Sequence, residues 1–177
     1  LYGERKGLLP SREWKNQSRQ APWYPGETLN VGIGQGYFLT TPLQLASATS
    51  FLASGGDSVT PHLFLKSSIN NKEQTYNYND NKTTINIDTD SLHIVNEAMW
   101  RVIYDNDVGT ASHLKKIEGI EFAGKTGTAQ VYNLDKGKTG TKSLQDHALF
   151  ISFAPFESPE IIVSVSYTHL TLPTILP

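Results

Sequence analysis

Two apolar runs near the end of the chain, residues 148–154 and 160–165, are separated by Pro155 and a short polar link. Runs of this length, rich in Phe, Ile and Val, are strand signals, and a brief polar connection between two of them makes an antiparallel hairpin. A third extended run, residues 121–132, precedes them. It contains Phe122, Thr126, Thr128 and Val131, with Gly124 and Gly127 where a helix would be weakened. Residues 133–145 form a Lys/Gly/Thr loop that leads to the hairpin. The last third of the chain is therefore expected to build an antiparallel sheet.

Two helices should precede it in the chain. Thr41 is a good N-cap, Pro42 suits the first helical position and Gln44 completes a capping box. Leu45, Ala48, Thr49 and Leu52 form one small-to-apolar face, and Gly55-Gly56 stops the helix. A second helix starts near Thr89 or Asp90, with Leu92, Val95, Met99, Val102 and Ile103 as its apolar positions. It breaks at Asp105-Asn106-Asp107. Residues 66–90 are polar and Asn-rich, which reads as a surface excursion with weak strands, Tyr76 and Tyr78 lying on a strand face. Residues 1–30 show little periodicity and read as irregular. Residues 29–33 read as a short β-like run ending in Gly34-Gln35-Gly36.

The formal net charge of −2 gives no electrostatic case for nucleic acid. The absence of cysteine excludes disulfides and thiolate metal sites. His62, His93, His113 and His169 have no metal-ligand spacing, and no cofactor is implied. No apolar run approaches the ~20 residues that span a bilayer. The chain opens on Leu1 without an export signal, so an N-terminal part carrying any membrane anchor is expected upstream. Residues 166–177 are rich in Thr, Leu and Pro without a period. They read as a tail outside the domain of residues 1–165, from a sequencing or assembly junction near Ser166 or, as the alternative, a natural disordered tail.

The segment with chemistry is Ala123-Gly124-Lys125-Thr126-Gly127-Thr128-Ala129-Gln130-Val131. Its Lys-Thr-Gly triplet is the third signature of penicillin-binding proteins and serine β-lactamases. The same letters recur at Lys138-Thr139-Gly140-Thr141, but among Lys136, Gly137 and Lys142, which suits a solvated loop. A rival lies in the same place. Gly119 to Thr126 formally matches a phosphate-binding loop, G-x-x-x-x-G-K-T. That loop needs a helix after it, and Gly127, Thr128 and Val131 are poor helix formers.

Longer blocks resemble the penicillin-binding protein 2 family, the elongation-type class B transpeptidases. They are Pro10-Ser11-Arg12-Glu13-Trp14-Lys15, Pro22-Trp23-Tyr24-Pro25-Gly26-Glu27-Thr28, Val31-Gly32-Ile33-Gly34-Gln35-Gly36-Tyr37, Thr41-Pro42-Leu43-Gln44-Leu45, Gly109-Thr110-Ala111 and Asp146-His147. The resemblance implies an α/β fold of the α+β type: a β-lactamase-like antiparallel sheet flanked by helices, here incomplete. It implies D,D-transpeptidation of peptidoglycan stem peptides ending in D-Ala-D-Ala, with β-lactam antibiotics as acylating inhibitors. It places the protein at the periplasmic face of the bacterial inner membrane, with an elongation-complex glycosyltransferase as partner. It assigns Lys125, Thr126, Gly127 and Thr128 to the catalytic strand. Lys125 supplies positive charge, Gly127 makes room for substrate, the hydroxyls of Thr126 and Thr128 hold a carboxylate, and the Thr128 N–H is an oxyanion donor.

The family's Ser-x-x-Lys and Ser-x-Asn motifs are not found in context. Ser112-His113-Leu114-Lys115 fits the letters but falls between the second helix and the third-motif strand. These residues are therefore expected to be inactive alone. A serine β-lactamase or penicillin sensor on the same fold is the alternative; a nucleotide-binding protein or a non-enzymatic interaction module is more remote. Gly34-Gln35-Gly36 reads first as a structural turn and Asp146-His147 as a hydrogen-bonded structural pair. Trp14, Trp23 and Trp100 read as packing residues.

Overall fold

The computed structural model describes residues 3–70, 72–75, 82–129 and 146–167. The elements are α1 (Arg12–Arg19), α2 (Pro25–Gly32), α3 (Pro42–Ala53), β1 (Asp57–Val59), β2 (Lys66–Ile69), β3 (Lys72–Thr75), β4 (Lys82–Thr84), α4 (Thr89–Tyr104), β5 (Ala123–Ala129), β6 (His147–Ala154) and β7 (Ile161–Tyr167). Strands β5-β6-β7 form one antiparallel sheet, and β1-β4 and β2-β3 form two small ones. This is the mixed α+β architecture expected from the sequence.

β6 and β7 make the expected hairpin, Ala154 opposite Ile161 and Ala148 opposite Tyr167. β5 lies on the other side of β6, Lys125 opposite Ile151 and Gly127 opposite Leu149. Among the described residues β5 is thus an edge strand. Side chains alternate between the two faces of a sheet. One face carries Ala123, Ile151, Phe153 and Ile162 and packs on Leu52 and Ala53 of α3 and Met99 and Trp100 of α4. Ala123 and Phe153 are 0% and 1% exposed there. The other face leaves Ile161, Val163 and Tyr167 exposed.

Both expected helices form from the expected signals. The Thr41 hydroxyl accepts the Gln44 N–H at 3.2 Å, and the Gln44 side chain accepts the Thr41 N–H at 3.0 Å. Thr49 is buried, its hydroxyl satisfied by the Leu45 carbonyl at 2.8 Å. Ala48, placed by spacing on the apolar face, is exposed instead. Leu52 and Ala53 reach the core in its place. In α4 the Asp88 carboxylate caps the Ser91 N–H at 2.9 Å. Leu92, Met99 and Ile103 are buried, whereas Val95 is 41% exposed.

Residues 1–30 depart from the expectation of irregular structure. α1 is capped by Ser11, whose hydroxyl accepts the Trp14 N–H at 3.1 Å. α2 begins with Pro25 after Tyr24, whose N–H bonds the Glu27 carboxylate at 2.7 Å. Residues 29–32, expected as a β-like run, are the end of α2: the cap upstream of them decides the conformation over their β propensity. No apolar stripe announces these short helices. Polar contacts join them. The Lys15 ammonium, 4% exposed, meets Glu27 at 2.6 Å and sits 4.5 Å from the Tyr24 ring centroid.

The Asn-rich excursion holds β2, β3 and β4, as short as expected. Tyr76, Tyr78 and Lys138-Thr139-Gly140-Thr141 lie outside the described residues. β7 continues through Ser166 and Tyr167, and residues 168–177 also lie outside.

Candidate active site along the edge of β5

Lys125-Thr126-Gly127-Thr128 runs extended in the middle of β5. Gly124 makes that placement possible. A Cβ there would lie 2.7 Å from Phe150 Cζ and 2.9 Å from the Ile151 carbonyl. Lys125, Gly127 and Thr128 are exposed and Thr126 is half-buried. A phosphate-binding loop would curl its amides around an anion and start a helix at Lys125. The strand runs on to Ala129 instead, which removes the nucleotide-binding reading.

Side-chain contacts fix which way the backbone points. The Thr128 carbonyl accepts a hydrogen bond from Gln35 Nε2 at 2.8 Å. The Thr126 carbonyl accepts one from Lys125 Nζ at 2.8 Å. Both donors lie outside the sheet ladder. In an antiparallel ladder the N–H and C=O of one residue point to the same side, and neighbours alternate. Thr126 and Thr128 therefore present both N–H and C=O to the open edge, while Lys125 and Gly127 turn theirs to β6.

A turn holds the strand from one side. The Gly109 N–H bonds the Asp105 carbonyl at 2.9 Å and the Ala111 N–H bonds the Val102 carbonyl at 3.0 Å, folding the chain back over the end of α4. This sets Thr110 Oγ1 3.1 Å from Thr126 Oγ1. Lys125 Nζ is also 3.5 Å from Thr126 Oγ1. The Thr126 hydroxyl, expected to hold a carboxylate with Thr128, is thus shared with Thr110.

On the other side lies a groove of about 370 Å³, within the usual range for small-ligand sites. Gln35, Phe38, Leu45, Thr128, His147 and Leu149 line it. A Cβ on Gly127 would reach toward it, 3.4 Å from Leu149 Cβ. Gly34-Gln35-Gly36 is the structural turn expected, with φ of +73° and +75° at its glycines, values that favour glycine. It is also a wall of the groove. The side chains of Asp146 and His147 are not hydrogen-bonded to each other, contrary to the expected structural pair: Asp146 is exposed and His147 borders the groove. Ser112 to Lys115 lies in the connection between α4 and β5, not at the start of a helix.

The model of the penicillin-binding protein transpeptidase domain matches residues 1–171. The chain belongs to the penicillin-binding protein transpeptidase family. It is 40% identical over 175 residues to the peptidoglycan D,D-transpeptidase MrdA of Acinetobacter baumannii, covering 96% of this chain and 25% of that protein. It is 32% identical over 170 residues to MrdA of Escherichia coli K12, covering 93% and 27%. The chain thus spans about a quarter of the length of these curated relatives. A crystal structure of Pseudomonas aeruginosa PBP2 in complex with WCK 5153 superposes with a TM-score of 0.76 at 38% identity, covering 96% of this chain and 35% of that one. A complex between PBP2 and MreC from Helicobacter pylori gives 0.70 at 30% identity, covering 95% and 28%.

Residue type alone assigns no role to Gln35 or Thr110. Both sit in blocks that carry the family resemblance, and that is the available signal in the sequence.

Proposed function

We propose that these residues supply the acyl-donor edge of a serine-type peptidoglycan D,D-transpeptidase of cell-wall elongation. The observation that carries the reading is the orientation of β5: Thr126 and Thr128 turn their backbone N–H and C=O outward at an exposed edge that also carries Lys125. A stem peptide ending in D-Ala-D-Ala pairs with this edge as an added strand. Gly127 leaves its path clear. A serine outside these 177 residues attacks the carbonyl carbon of the penultimate D-Ala. The Thr128 N–H is one donor to the oxyanion that forms. Lys125 attracts the terminal carboxylate and assists proton transfer toward the leaving amine. The terminal D-Ala departs as the free amino acid, leaving an acyl-serine ester. An amine of a second stem peptide attacks that ester, forms the cross-linking amide and returns the proton to the serine.

β-Lactam antibiotics acylate the same serine. By family likeness the work is done at the periplasmic face of the inner membrane, through an anchor beyond these residues, beside a glycosyltransferase of the elongation complex. The isolated 177 residues are inactive.

The test is a fluorescent penicillin applied to the full-length protein and to the isolated chain, followed by mapping of the acylated peptide. The full-length protein is expected to label on one serine outside residues 1–177, and the isolated chain not at all. An acylated serine within residues 1–177 contradicts the assignment.

A further inference from the structure

The open edge of β5 is not bare. Two of its outward carbonyls, those of Thr126 and Thr128, are each taken at 2.8 Å by a donor of the chain itself, Lys125 Nζ and Gln35 Nε2. Lys125 belongs to the strand, but Gln35 comes from 93 residues away. Its placement is built. The Gln35 N–H bonds the Asn30 carbonyl at 2.8 Å, which ties the turn to the end of α2. Gly34 and Gly36 on either side hold the positive φ that the turn requires, and the carboxamide reaches the Thr128 carbonyl. Gln35 and Thr128 both line that groove, so the carboxamide stands where an added strand has to lie.

We propose that Gln35 is a specificity-determining gate on the acyl-donor edge. Its carboxamide fills the Thr128 carbonyl in the resting protein, and a donor with an N–H at that register must displace it. This rests on the proposed transpeptidase function and adds a penalty that depends on the donor's chemistry. A donor carrying an amide N–H replaces the lost bond with its own, after Gln35 has withdrawn. A donor without that N–H leaves the Gln35 bond in place. Removing the gate therefore favours the first kind over the second.

The test compares acylation rates of the full-length protein with a penicillin, whose side chain carries an amide N–H, and with a carbapenem, which has a hydroxyethyl group instead. Gln35→Met keeps the side-chain length and removes the donor. The ratio of penicillin to carbapenem rate is expected to rise about threefold or more, the scale of one neutral hydrogen bond. An unchanged or lower ratio overturns the gate. A second measurement needs no variant. In a crystal structure of the wild-type penicilloyl protein, Gln35 Nε2 should lie beyond hydrogen-bond reach of the Thr128 carbonyl, more than about 3.5 Å away. A retained bond there overturns the proposal. If the wild type is acylated by neither compound, the transpeptidase reading itself fails; if it is acylated and the ratio does not move, only the gate does.

Discussion

Gly109 sits where the end of α4 turns back to place Thr110 against β5. Its Cβ, if it had one, would lie 2.3 Å from the Asp105 carbonyl oxygen, 2.7 Å from that of Val102 and 2.8 Å from that of Arg101. None of these can retreat freely. The Asp105 carbonyl holds the Gly109 N–H, the Val102 carbonyl holds the Ala111 N–H, and the Arg101 carbonyl holds the Asp105 N–H. Gly109→Ala must open at least part of this set. Overpacking of this kind costs about 1–3 kcal/mol, and each hydrogen bond lost adds about 1 kcal/mol. Together they come to about 2–4 kcal/mol, which lowers the melting temperature by more than about 1 °C even in a protein about four times this length, where each kcal/mol shifts it less. Calorimetry of the full-length wild type and variant measures it. Thr110→Val in both backgrounds separates the cause. The valine should cost about 1 kcal/mol in the wild type through the lost Thr110–Thr126 contact, and less when combined with Gly109→Ala, where that contact is already displaced. A Gly109→Ala protein melting within about 1 °C of wild type, with the cost of Thr110→Val undiminished, refutes the reasoning.

Phe153→Ala should be among the most damaging core changes, because the ring is 1% exposed between α4 and the sheet. A loss of about 3–5 kcal/mol is expected, read as a fall in urea midpoint at unchanged slope. The Lys15 ammonium and the Tyr24 N–H hold the Glu27 carboxyl below its ordinary value of 4.5. A depressed carboxylate adds stability that is fully present above its ordinary value and lost as pH falls through the lower folded value. Melting temperature should therefore drop below about pH 4.5, and Glu27→Gln should flatten part of that drop while lowering stability at neutral pH. The isolated 177 residues should associate through the open edge of β5 and the exposed Ile161, Val163 and Tyr167 face. Light scattering should rise with concentration; a monomer with a cooperative thermal transition contradicts this.

The sheet, α3 and α4 were legible because their signals are local and agree. Residues 148–154 and 160–165 are apolar runs around a turn, Thr41-Pro42-Gln44 is a capping box, and Leu92, Met99 and Ile103 repeat at helical spacing. α1 and α2 were not legible. Their stability comes from Ser11 and Glu27 at the helix starts and from the Lys15–Glu27 pair, contacts between residues whose separation carries no period. Ala48 faces outward because α3 turns Thr49 inward, and a buried threonine whose hydroxyl bonds its own helix carries no apolar signal. The extended conformation of Lys125 to Thr128 was legible from the residues around the triplet. Gln35 was read as part of a turn, which it is. Its bond to Thr128 spans 93 residues, and only the tertiary fold brings the two together.

Lys125 Nζ lies 2.8 Å from the Thr126 carbonyl, which faces the open edge of β5, the edge proposed to take the acyl donor. The rate of acylation of the full-length protein by penicillin, wild type against Lys125→Ala at matched melting temperature, measures what that edge contributes. Losing an electrostatic partner of the reacting groups should slow acylation by about 10²–10³-fold. A variant acylated within about threefold of wild type, far below that loss, would mean that this strand does not face the chemistry.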